Sequence, residues 1–194
     1  MSNKKTTAKS TKAEPKAVLK ASAARTAEAK ASAPKTRVLF VCTGNTCRSP
    51  MAEQIFKDYL KKKKSLSGFD VKSAGLYAAE GDSTSINTCE ALKSFGIMPK
   101  SLASRQMDDK LYKRSDYIIC MTAAHKAELL GQAADKVRTK GQKVFSVSEV
   151  TNGPDVPDPF GQSISHYKAV AEYLLYACED IFGLLSKHKN KEGL

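Results

Sequence analysis

Beyond residue 36 the chain alternates two hydrophobic rhythms: short unbroken apolar runs, and longer stretches in which apolar positions return every three or four residues. The run RVLFVC, 37–42, has the length and density of a strand buried on both faces. In SPMAEQIFKDYLKKKK, 49–64, Met51, Ile55 and Leu60 share one helical face with Phe56 and Tyr59 beside it. Ser49 is a candidate N-cap there, and Pro50 suits the first helical position. FDVKSAG, 69–75, reads as a second strand. SINTCEALKSFGI, 85–97, reads as a helix with Ile86, Cys89, Leu92 and Phe95 inward, ended by Gly96. SDYIICMT, 115–122, is a third strand, TAAHKAELLGQAA, 122–134, a third helix, and 143–147 a fourth strand. The segment 164–188 carries Val170, Tyr173, Leu174, Ala177, Ile181, Leu184 and Leu185 at helical spacing, so that stripe is core.

Strands alternating with helices predict an α/β fold built on a parallel sheet. Such sheets bind ligands beyond the carboxyl ends of their strands. The loop after the first strand and the proline-rich loop TNGPDVPDPFGQS after the fourth would open at that same edge. Residues 42–49 and 155–160 are therefore expected to meet.

Charge divides the chain differently. Residues 1–36 hold eight Lys, one Arg and two Glu, a net +7 of the +12 of the whole. Ten of those residues are Ala, and Val18 and Leu19 are the branched apolar ones. Such a segment cannot bury enough to offset its ordering entropy and reads as a disordered tail. Three roles stay open for it: a solvated tail, a salt-sensitive contact with nucleic acid or another polyanion, and a transit peptide, against which its Lys-rich composition with Glu14 and Glu28 argues. The remainder, 37–190, is expected to form one domain. Nothing resembles an export signal, and no stretch approaches 18 apolar residues, so no membrane contact is expected. Five cysteines at 42, 47, 89, 120 and 178 match no zinc spacing. A cytoplasmic protein with mostly free thiols is the expectation.

The densest chemistry lies in VCTGNTCRSP, 41–50. A loop passing from a strand into a helix turns backbone N–H groups inward, and the helix N-terminus adds partial positive charge. Gly44 and Asn45 are residue types that tolerate positive φ. Such a nest holds a tetrahedral dianion, and Arg48 can clamp two of its oxygens. The same field lowers the pKa of a thiol, so Cys42 is expected to be ionised at neutral pH. Ser49 can support that thiolate or cap the helix, and the sequence leaves both open. A thiolate attacking phosphorus needs a proton donor for the leaving group, and Asp158, held between Pro157 and Pro159, is the candidate. Phe160 is expected as one wall of the pocket. Each fragment alone has a plain reading: a buried strand cysteine, a chance Cys-x5-Arg, a turn aspartate. Their joint placement at one sheet edge favours the chemical one.

At these residues the chain resembles the low-molecular-weight protein tyrosine phosphatase family. The likeness lies in CTGNTCRSPMAE, the SAG at 73–75, YIICMT and DPFGQSI, and runs from about residue 37 to the C-terminal helix. It implies a four-stranded parallel sheet flanked by helices, phosphorylated protein substrates, a Cys42 nucleophile, an Arg48 clamp and an Asp158 acid and base, with no metal or other cofactor. Thr43, Gly44, Asn45, Thr46, Cys47 and Ser49 would complete the binding loop, Asn45 by holding its shape and Ser49 by supporting the thiolate. A monomer is expected.

Thr46 separates branches of that family. Tyrosine-directed members usually carry a bulkier aliphatic there, and members similar to protein arginine phosphatases carry Thr. A small hydroxyl-bearing wall suits a polar guanidinium better than an apolar one. Gly161 after Phe160 also leaves a leaner rim for a flat phenol, which favours phosphoarginine over phosphotyrosine. Arsenate reductases of this fold need a downstream cysteine pair a few residues apart, whereas Cys89 and Cys120 are far apart in sequence. Cys47 is either a loop-packing residue or, as the resemblance implies, a redox partner of Cys42. His125, His166 and His188 are expected at the surface, and Arg105 and Tyr112 as solvated helix residues.

Overall fold

The computed structural model describes residues 35–134 and 143–191. Residues 1–34, nearly all of the segment read as a basic tail, lie outside them, as does the side chain of His188. Four strands form one parallel sheet: β1 (Thr36–Cys42), β2 (Phe69–Gly75), β3 (Tyr117–Cys120) and β4 (Lys143–Ser146), in the order β2-β1-β3-β4. Successive strands step outward from β1 to β2 and then to the other side of β1. The loops leaving β1 and β3 consequently diverge at the carboxyl edge, where a ligand crevice forms.

Alternation along β1 explains its unbroken apolar run. Val38, Phe40 and Cys42 belong to a cluster with Met51, Ile55 and Phe56 of α1 (Arg48–Lys62) and with Leu174 and Ile181 of α6 (Ile164–Lys191). Leu39 and Val41 point the other way, into a cluster with Ile118, Met107, Tyr112 and Leu129. With both faces covered, every position must be apolar. The predicted stripe of α6 is buried at Val170, Leu174, Ala177, Ile181 and Leu185, with Tyr173 and Leu184 partly buried beside it.

Several expectations change. Helix α1 starts at Arg48 with Cys47 in the cap position and no side-chain cap, so Ser49 lies in the first turn and does not cap it. In α2 (Ile86–Ser94) the buried face is Thr88, Ala91 and Leu92, while Ile86 at the first position is 79% exposed. Two short α-helices were given no bounds from the sequence, although Tyr112 was expected on a helix. One is α3 (Asp109–Arg114), capped by the Asp108 carboxylate, which accepts the Leu111 N–H. It buries Tyr112, correcting the solvated reading of that residue, and Arg105 lies outside any helix, half-buried. The other is α5 (Val147–Thr151), opened by a capping box between Ser146 and Glu149. No described helix is long and apolar enough to cross a membrane.

Candidate active site

Between the end of β1 and the start of α1 the chain makes a tight loop whose shape is set from behind. Asn45 sits at φ +54°, the left-handed region that Asn tolerates. Its Nδ2 donates to Ser49 Oγ at 2.8 Å, and its Oδ1 accepts the Arg105 N–H at 2.9 Å. The segment leaving β2 grips the loop through Leu76 N–H to Cys42 O and Tyr77 N–H to Thr43 O, both 2.9 Å, and Ser85 N–H reaches Thr46 O at 3.0 Å. Gly75 makes this approach possible. A Cβ there would lie 2.5 Å from Thr43 O and 2.9 Å from Asn45 N, inside any permissible contact.

Cys42 closes the floor of the loop and is 2% exposed. Its Sγ lies 3.0 Å from Ser49 Oγ and also meets the backbone N–H groups of Ser49 and Asn45. Burial pushes this thiol up from its ordinary value, and the Ser49 hydroxyl, those N–H groups and Arg48 pull against it without prevailing. That direction runs against the expectation of a thiolate standing at neutral pH, because a sulfur sealed inside the loop loses hydration that its donors must replace. Ser49 Oγ accepts from Asn45 and lies within reach of both Ala74 O, at 3.2 Å, and Cys42 Sγ, so its single hydrogen can turn from the carbonyl to the sulfur when the thiolate forms.

Around the mouth, Cys42, Thr43, Gly44, Thr46, Cys47, Arg48, Asp158 and Phe160 line one cavity of about 220 Å³. The two distant loops therefore do meet. Arg48 Nη2 donates to Asp158 Oδ2 at 2.7 Å and to Thr43 Oγ1 at 3.3 Å. Asn45 and Ser49, expected to hold the loop's shape and to support the thiolate, are buried behind the loop. Phe160 borders the cavity while 74% exposed, so it forms a rim and not an enclosing wall. The Asp158 segment is itself anchored. Asp155 accepts the N–H of Ala123, which opens α4 (Ala123–Ala134), and the Ser148 hydroxyl at 2.6 Å, while Val156 N–H reaches Met121 O at 3.0 Å. Cys47 is buried, with its sulfur 3.4 Å from Tyr167 OH and 3.6 Å from Ser85 Oγ. All five cysteines are free thiols.

His125, expected at the surface, is the misplaced residue that bonds directly to a cavity-lining side chain. It is 8% exposed, its Nε2 lies 2.9 Å from Thr43 Oγ1, and its Nδ1 lies 2.7 Å from Thr122 Oγ1. Burial, with Arg48 nearby, lowers its pKa. A signal existed: β3 neighbours β1 in a doubly wound sheet, so the loop after β3 must open beside the first loop. For Arg105 and Tyr167, which support the loop through Asn45 and Cys47, the sequence carried no comparable cue.

Taken together, the arrangement places a buried thiol beneath a cationic, donor-lined mouth with a carboxylate at its rim. That combination can hold a tetrahedral dianion against sulfur, with a carboxylate placed to give or take a proton opposite it. Comparison with known proteins points the same way. Residues 37–191 match the model of the family described as low molecular weight phosphotyrosine protein phosphatase. The chain is 40% identical over 141 residues to a protein-arginine-phosphatase of Geobacillus stearothermophilus, covering 71% of this chain and 88% of that protein. It is 38% identical over 141 residues to the low molecular weight protein-tyrosine-phosphatase PtpB of Staphylococcus haemolyticus, covering 72% and 93%. The solved structure of the YwlE arginine phosphatase from Geobacillus stearothermophilus superimposes with a TM-score of 0.66 at 34% identity, covering 80% of this chain and 96% of that one.

Proposed function

The chain belongs to the low molecular weight phosphotyrosine protein phosphatase family, and from that premise we propose that this enzyme hydrolyses phosphoarginine in proteins through a cysteinyl-phosphate. The phosphoryl group sits in loop 42–48 with Arg48 clamping two of its oxygens. Cys42 passes its proton to a non-bridging phosphoryl oxygen, and its sulfur pair then forms the S–P bond as the P–N bond breaks. Asp158 delivers a proton to the leaving guanidine nitrogen. In the second step the Asp158 carboxylate takes a proton from water, whose oxygen attacks phosphorus and releases Cys42.

The preference for phosphoarginine rests on Thr46, which lines the cavity together with Cys42. Its hydroxyl can accept from the guanidinium N–H groups that flank the phosphorus, where an aliphatic side chain would leave them desolvated and unpaired. Phosphotyrosine is the second reading, favoured by the exposed Phe160 ring at the rim, against which a phenol can stack. Measuring kcat/KM on matched peptides carrying phosphoarginine or phosphotyrosine separates the two. Higher kcat/KM on phosphoarginine is expected, and the reverse order would overturn the first reading.

A further inference from the structure

His125 lies outside the loop but is bonded to it, and a count of hydrogen-bond donors gives it a task. Thr122 Oγ1 already accepts the backbone N–H of His125 at 3.1 Å. Among the described residues, the acceptor in reach of that hydroxyl's own hydrogen is ring Nδ1, at 2.7 Å. If Nδ1 accepts, Nε2 carries the ring proton and donates to Thr43 Oγ1 at 2.9 Å. Thr43 Oγ1 also receives Arg48 Nη2 at 3.3 Å, so both of its lone pairs are engaged. The opposite tautomer would aim two donors at Thr122 and leave the hydrogen of that half-buried hydroxyl without a partner. Thr43 is exposed at the cavity mouth, where an unassigned hydrogen costs little.

We propose that His125 is a positioning residue that makes the Thr43 hydroxyl an obligate donor, aimed into the cavity at a phosphoryl oxygen. The proposal rests on the reading of loop 42–48 as a phosphoryl site and adds to it a side-chain donor beyond Arg48. It also assigns His125 a role although it does not line the cavity. The groups charged near the ring are Arg48, Asp158, Glu128 and Asp155, and burial together with Arg48 lowers its pKa and so favours the neutral ring. A neutral ring is what the donor count requires, since a cation would point two donors outward.

The test uses the full-length protein and inorganic phosphate as probe. Ring ¹⁵N shifts of His125, assigned by their loss in His125→Gln, report the tautomer directly; an Nε2–H ring is expected, and an Nδ1–H ring overturns the proposal. Thr43→Val should weaken phosphate binding about tenfold or more, as for one hydrogen bond lost to a charged group, while Thr43→Ser retains it. His125→Ala should weaken binding several-fold, about three to ten, and His125→Gln, whose side-chain amide can donate from the same distance, should restore it. In a Thr43→Val background His125→Ala should add nothing, and an undiminished effect there overturns the proposal. Failure of the wild-type protein to bind phosphate would sink the phosphoryl-site reading as well, whereas phosphate binding with an Nδ1–H ring sinks this inference alone.

Discussion

Arg48 and Asp158, 110 residues apart in the chain, are joined by a 2.7 Å ion pair in which the guanidinium is buried and the carboxylate is about half exposed. The pair ties the loop after β1 to the loop that follows α5. It sets the carboxylate at the rim of the cavity whose floor is Cys42. Chemistry assigned to the two loops separately thus becomes one site through a single contact.

Replacing Asp158 by Asn keeps the side chain's shape and removes its proton. The variant should lose about 10²- to 10⁴-fold in kcat on a substrate with a poor leaving group. With a good leaving group, which needs no proton, the loss should be much smaller. Pre-steady-state release of both leaving groups checks this, and equal slowing would remove Asp158 as the acid.

Cys42→Ser should abolish turnover, with kcat falling by about 10⁴-fold or more, because no sulfur is left to accept phosphorus. Phosphate or vanadate should still bind, since Arg48 and the loop amides are unchanged. Calorimetry alongside the rate assay reads both, and substantial turnover would disprove the nucleophile assignment.

The Cys42 thiol is held up by burial and pulled back by Ser49 and Arg48. Thiolate-dependent alkylation with iodoacetamide should therefore rise with pH through a midpoint above that of an ordinary thiol. Ser49→Ala should move the midpoint up by a further one to two pH units or so, the scale of a hydrogen bond to a charged group. Stability follows the same sign. Above the ordinary thiol range the unfolded chain releases this proton and the native chain keeps it, so the contribution of Cys42 to stability falls as pH rises. An unshifted midpoint in Ser49→Ala would mean that Ser49 does not support the thiolate.

Gly75→Ala places a methyl against Thr43 O and Asn45 N, both backbone atoms in a loop with little room to yield. We expect a loss of about 1–3 kcal/mol in unfolding free energy together with weaker phosphate binding, because the displaced atoms belong to the binding loop. Denaturant melts and phosphate titration measure the two. Unchanged phosphate affinity would show that the loop adapts.

Thr46→Ile exchanges a hydroxyl for an ethyl group at the cavity wall. The ratio of kcat/KM for phosphoarginine over phosphotyrosine should fall about tenfold or more, since the guanidinium loses an acceptor and the phenol gains an apolar neighbour. A ratio that stays constant would relocate specificity to Phe160 and its surroundings.

Much of this was legible in one dimension. The runs at 37–42 and 69–75 and the stripe of α6 reappear as strands and a helix because burial on known faces leaves a periodic record. Cys42 and Arg48 could be placed together because a loop between a strand and a helix is a local object, while Thr46 stood out only through the family resemblance. Helix α5 went unread, although Ser146 and Glu149 stand at capping-box spacing. Ile86 misled because a helix's first residue can satisfy the periodic pattern while lying beyond the packed face.

The local sequence by itself determined the parallel α/β arrangement, the strand-to-helix loop and the chemical types of the groups within it. Each depends on backbone propensity and on neighbours within a few residues. Only the tertiary structure decided the protonation tendency of Cys42, the inward position of His125, the retreat of Asn45 and Ser49 behind the loop and the pairing of Arg48 with Asp158. Desolvation and hydrogen-bond saturation depend on which distant segments arrive at the same point, and a residue's own neighbours in the chain hold no record of that.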